Sequence, residues 1–293
     1  MGEFADFALG EVMDNEDAIT DYHRGEMADA EAYDRGIINE LGGEERGMTL
    51  SPQMKKLGFT GVRDTVMIPR LIVAVSALEK QGKTHFALTA PDPIAFFNLD
   101  FGTEGVIDKF TGKEIHSMPV ARLDETQSGQ APAEYKRFED AYNYVIRSKE
   151  VRTVVVDTAT EVWELLRLAR FGKLTQVMPY MYGPVNAEYR ALIRKAYDYD
   201  KNLILVHKMK QQYVNDKWNG EYERAGFKDT GFLVQVNTQM YRYRPEDGGA
   251  FALSILDCRQ NPDLAGMELE GEMCTFPIMA QMALPMFDPG VWE

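Results

Sequence analysis

The chain has 293 residues, 45% of them apolar, long enough to bury one large α/β core with an appendage. Its formal charge of −14 is uneven: residues 1–50 hold 14 acids and 3 bases, a balance of −11, which leaves −3 for the rest. Two cysteines, Cys258 and Cys274, argue against a disulfide scaffold and for a reducing, cytoplasmic setting, and no Cys/His ligand spacing, signal-peptide pattern or apolar run of about 18 residues points to zinc, secretion or a membrane.

In chain order, residues 1–46 read as an acidic helical hairpin or a solvating tail, with Asp29 as a cap and Gly42-Gly43 as the stop. Residues 47–69 read as an irregular connector into a core over 70–265, followed by a weakly patterned tail over 266–293. The core opens on Leu71–Ser76, mostly β-branched and apolar, the pattern of a buried strand. A short loop leads to Gly82-Lys83-Thr84 and a helical run. Strand, loop, GK[ST] and helix is the phosphate-binding arrangement: backbone N–H groups cradle phosphate, the lysine reaches the β- and γ-phosphates, and the hydroxyl ligates Mg²⁺. Candidate nucleotide-binding residues are therefore Ala77, Glu79, Gln81, Gly82, Lys83, Thr84 and His85. Ala77 stands where the pattern asks for glycine, which is tolerated only where φ stays negative.

A second strand, Ile94–Leu99, ends in Asp100 and Glu104. Acids at the carboxyl end of the neighbouring strand are candidates to orient an attacking water, or else cap the following turn. Ala133–Ser148 has helical periodicity, and Val154-Val155-Val156-Asp157 reads as a buried parallel strand delivering a carboxylate for Mg²⁺. Helices over 160–171 and 184–200 precede another buried strand, Leu203–His207, which places His207 as a γ-phosphate sensor or a turn residue. Residues 208–231 interleave Lys210, Lys217, Arg224 and Lys228 with Tyr213, Trp218 and Tyr222 around Asn219-Gly220, a hairpin-turn signal. Charge with stacking faces suits single-stranded nucleic acid, while the plain alternative is a hairpin whose aromatics pair across strands. Two further strands, Thr238–Arg244 and Phe251–Asp257, are expected to extend the sheet antiparallel.

Over residues 70–260 this order of motifs resembles the RecA-like P-loop ATPase core, and within it the phage-encoded nucleotide-binding or single-strand-annealing group. The likeness rests on Glu79 within the loop, on FFNLD, VVVDT and LVHKMK, and on the hairpin running into GFKDTG. It implies an α/β fold with a mainly parallel sheet and antiparallel C-terminal strands, acting as a Mg²⁺- and ATP-dependent hydrolase in phage recombination or replication. It implies Asp157 and Thr84 at the metal, Lys83 with Asp100 or Glu104 and His207 in catalysis, and residues 210–230 on single-stranded DNA. It also implies Arg259 reaching a neighbour's nucleotide in a ring or filament, a single-strand-binding protein as a further partner, and host cytoplasm as the location. A nucleotide-gated binding module with little hydrolysis and a P-loop kinase are the alternatives; a kinase would call for an Arg-rich lid, which the sequence does not show.

Overall fold

The computed structural model describes residues 51–60, 68–100, 103, 105–243 and 249–293; the acidic segment 1–46 and Glu104 lie outside them. The chain divides into two compact units, Met1–Val66 and Met67–Glu293. In the first, the described element is a short helix, α1 (Pro52–Lys56), started by the Ser51 hydroxyl accepting from Met54 N at 3.2 Å.

The second unit is built on nine strands among the described residues: β1 (Ile72–Ala77), β2 (Ile94–Asn98), β3 (Ile115–Pro119), β4 (Thr153–Asp157), β5 (Asn202–Val214), β6 (Lys217–Arg224), β7 (Val236–Arg242), β8 (Phe251–Cys258) and β9 (Glu268–Glu270). The order is β3-β2-β4-β5-β1-β7-β8-β9, with β6 paired to the outer half of β5. Strands β3 through β7 along this path are parallel; β8 and β9 run antiparallel, as does β6 against β5. Continuous apolar runs form the central strands because both faces are covered. On one face Ile72, Ala74, Val154, Val156, Leu203 and Leu205 pack with α3 (Ala131–Arg147), α4 (Ala159–Phe171) and α5 (Tyr182–Asp198). On the other, Val73, Val75, Val155, Ile204 and Val206 pack with α2 (Lys83–Leu88) and α7 (Phe276–Ala283). A four-residue helix, α6 (Thr230–Leu233), links the β6 hairpin to β7.

Three expectations need correction. Strand β7 is parallel to β1 rather than antiparallel; the reversal of direction begins only at β8. The hairpin turns at Asn215-Asp216, both left-handed (φ 51° and 59°), which is the two-residue geometry that matches strand twist. Asn219-Gly220 lies inside β6, so local turn propensity there yields to pairing with β5. The segment after Gly266 is no loose tail: it supplies β9 and α7, and Phe276 and Trp292 are fully buried against the sheet. Cys258 and Cys274 are buried and unbridged, and none of the described helices is long and apolar enough to cross a membrane.

Candidate functional site

Because β1, β2, β4 and β5 are parallel, their carboxyl ends meet along one edge of the sheet, where ligands of open α/β folds sit. The loop after β1 makes its left-handed steps at Lys80 (φ 58°) and Gly82 (φ 88°), not at Ala77. Ala77 is the buried last residue of β1, paired with Lys208, so a Cβ there fills core space and does not strain the loop. Gly82 is needed twice over: besides its φ, an added Cβ would meet Phe251 Cδ1 at 3.1 Å and Met240 Cε at 3.3 Å.

Helix α2 begins at Lys83, whose Nζ donates to Ala77 O (3.0 Å) and Leu78 O (2.7 Å). Burial lowers its pKa, opposed by the charges of Asp157, Asp100 and Glu79. On the next residue, Thr84 Oγ1 donates to Asp157 Oδ2 at 2.6 Å across 73 residues of sequence. Asp157 is 2% exposed, and burial pushes its pKa up to about 6 despite the Thr84 hydrogen bond. Asp100, at the end of β2, is half-exposed and 3.9 Å from Arg122 Nη1, while Arg122 Nη2 is 3.4 Å from Glu161 Oε1. Glu161, in the first turn of α4, is ion-paired with Lys208 Nζ. Lys83, Asp157, Asp100, Arg122, Glu161 and Lys208 thus form one linked set of charges beside Thr84.

No sequence motif marks Arg122 or Glu161, and in sequence Lys208 reads only as the first of the basic residues of the 208–231 segment. Arg122 and Glu161 follow the ends of β3 and β4 by three and four residues, and Lys208 is the last residue of β5 paired in parallel with β1, so all three stand at the carboxyl edge of the sheet. His207, the expected sensor, is not in this set. It is fully buried, its Nδ1 lies 3.1 Å from Ala225 O at the root of the hairpin, and burial with nearby Arg224 pulls its pKa down to about 3. Of the other loop residues, Glu79 is exposed, Gln81 keeps a buried Oε1 without a partner, and exposed His85 lies 5.0 Å from the Phe110 ring.

A model of the AAA domain family matches residues 70–239, which runs from the foot of β1 into β7. The chain belongs to that family. No curated protein matches it. The match spans the phosphate loop, the Asp157 strand and the hairpin, so this AAA domain is of the P-loop ATPase type.

The residues of the AAA domain fit a magnesium nucleotide. Among the described residues no three His, Cys, Asp or Glu side chains converge into a cage. One hydroxyl and one carboxylate facing each other, as Thr84 and Asp157 do, are what a Mg²⁺ shared with substrate phosphates takes from its protein.

The hairpin grows out of this edge where β5 passes Lys208 and pairs with β6. Tyr213 and Trp218 are about half exposed, and Trp218 meets Tyr222 edge to face at 6.2 Å. Lys210 pairs with Glu223 at 3.1 Å, and Lys217 and Lys228 are exposed. Arg224 turns inward and donates to Asn237 Oδ1 at 2.7 Å. Arg259 is exposed just after β8 and donates to Phe232 O at 2.8 Å.

Proposed function

We propose that the AAA domain is a RecA-like, Mg²⁺-dependent ATPase that acts on single-stranded DNA in recombination or replication, working as a cytoplasmic homo-oligomer. The observation that carries the ATPase part is the 2.6 Å contact of Thr84 with Asp157 beside Lys83, ringed by Asp100 and Lys208. Support for the RecA-like part comes from the sheet. The strand of Lys208 lies between the phosphate-loop strand and the Asp157 strand, the last strands turn antiparallel, and a basic, aromatic hairpin grows from the same β5.

Lys83 and the loop amides would hold the phosphates, and Thr84 with Asp157 would hold Mg²⁺, which supplies charge neutralisation at the phosphate oxygens. Asp100, at the open end of β2, is the carboxylate available to orient water and take its proton. Lys208 is the cation in cis able to leave Glu161 for developing negative charge, a role His207 cannot fill from its buried position. Arg259 is the candidate cation for a neighbouring protomer's nucleotide.

The test is ATP turnover with and without a single-stranded oligonucleotide, for wild type and Lys83→Ala. Turnover stimulated by the strand and abolished in the variant, with an unchanged melt, is expected. Turnover that survives Lys83→Ala would sink the phosphate-loop assignment, and a lack of response to DNA would leave an ATPase with another partner.

A further inference from the structure

The two-stranded hairpin and α6 enclose a cavity of about 640 Å³, within the range of small-ligand sites. It opens on the sheet face opposite α2. Asn237 and Gln239 line it, and they alternate along β7 with Val236, Thr238 and Met240; of these, Val236 and Met240 pack in the core beside α2. The cavity therefore lies on the face of the sheet away from α2, and reaches β1 at Ser76.

Its charges are unevenly matched. Asp257 receives two hydrogen bonds of 2.9 Å from Asn237 Nδ2, and Glu223 is paired with Lys210. Among the described residues no ion pair of contact distance joins Arg224, Lys228 or Arg259 to a carboxylate, although the charge of Asp257 favours that of Arg224. Arg224 is partly buried and uses one donor on Asn237; its other guanidinium N–H groups have no protein acceptor among the described residues. Partial burial disfavours the Arg224 charge, with Asp257 opposing, and an anionic or carbonyl-rich group meeting its remaining donors would offset that cost. Beside these cations the wall is apolar and open: Phe232 is 82% exposed and Leu256 49%. An aromatic face next to unpaired Arg and Lys is the chemistry that reads a base and its phosphate together.

We propose that this cavity binds one nucleotide unit, its base on Phe232 and its phosphate between Arg224 and Lys228, as a second nucleotide site on the sheet face away from α2. Its position at the root of the hairpin makes a strand tracked along β5–β6 the natural source, and that part rests on the single-strand reading; the chemistry would equally hold a free nucleotide.

The experiment uses the full chain with saturating Mg-ADP to occupy the phosphate loop. A labelled thymidine oligonucleotide is titrated by anisotropy, and thymidine monophosphate is followed by equilibrium dialysis. A 5-iodouracil oligonucleotide is photo-crosslinked and its adducts are assigned by mass. Phe232→Ala, at an exposed side chain, should weaken oligonucleotide binding about tenfold, as loss of one stacking platform does, with ATP turnover in the absence of DNA unchanged. Lys228→Gln should weaken it and flatten its salt dependence. Adducts should form on Phe232 or Tyr222. If only Trp218→Ala weakens the oligonucleotide and every adduct lies at the hairpin tip, the cavity proposal is overturned while single-strand binding stands. If the oligonucleotide fails to bind but the monophosphate does, and Phe232→Ala abolishes this, the cavity holds a free nucleotide and the single-strand reading falls. Binding of neither probe overturns both.

Discussion

Acid should loosen the root of the hairpin, and His207 should account for a defined part of the loss. The imidazole is fully buried, with Nδ1 toward Ala225 O and Nε2 without a partner. Its pKa falls from 6.5 to about 3, chiefly through burial and then through the charge of Arg224. A base whose pKa is depressed in the fold stays neutral there while the unfolded chain takes up a proton. The stability is therefore intact above about pH 6.5 and is lost as the pH falls toward 3. At 1.36 kcal/mol per pH unit, the loss between pH 7 and pH 5 is about 2 kcal/mol. The variant His207→Asn retains an N–H donor for Ala225 O and does not titrate, at a roughly constant cost for the smaller side chain. Urea unfolding of both proteins at pH 7, 6 and 5, without nucleotide, gives the stability gap between them. That gap should move by about 2 kcal/mol in favour of the variant over this range. Parallel pH profiles would refute the argument. Because His207 lies outside the linked charges at the nucleotide edge, turnover at pH 7.5 should stay within about threefold of wild type, well under 1 kcal/mol on the barrier.

Thr84→Val should remove Mg²⁺-dependent nucleotide binding and strip the Asp157 carboxylate of its one hydrogen bond among the described residues, so the metal-free protein should also lose about 1–3 kcal/mol in a urea titration. Asp100→Asn should lower kcat with nucleotide affinity retained, and an equal loss of affinity in both variants would show that the division of roles is wrong. Lys208→Ala should reduce kcat by about tenfold or more while raising KM little, as expected of a cation that serves developing charge and not ground-state binding. A rise in KM alone would make it a binding residue. Trp292→Ala should cost about 3–5 kcal/mol in chemical denaturation, since the ring is fully buried against Phe276 and Phe287. A change below about 1 kcal/mol would mean that the C-terminal segment is not part of the cooperative core.

What was legible in the chain was local. The run into Ala77, Gly82-Lys83-Thr84 and the valines before Asp157 each announce strand, loop or helix within a dozen residues, and they are also what the family model spans. What was illegible was set at a distance. Strand β3, with Ile115, His116, Ser117, Met118 and Pro119, is an edge strand with little apolar alternation, and it exists because β2 offers it a partner. The direction of β7 depends on the crossover from the hairpin through α6, which no periodicity records. The site followed the same division: Lys83, Thr84 and Asp157 sit in motifs, whereas Arg122, Glu161 and Lys208 acquire meaning only where four strand ends meet. Asn219-Gly220 misled because its turn propensity is real but is outweighed by pairing with the long outer half of β5.

That long strand has a mechanical consequence. Residues Ile204–His207 are clamped within the sheet, and from Lys208 the strand runs six residues further to Val214 with β6 as its only strand partner. At 3.3 Å per residue this is an arm about 20 Å long, with a register shift against β6 between Gln211 and Tyr213 and its root at the side chain that faces Glu161. A tilt of about 10° at Lys208 would sweep the turn at Asn215-Asp216 through about 3.5 Å, close to the rise between neighbouring nucleotides in one strand. The length of β5 sets the ratio by which any rotation at the root would be magnified at the tip.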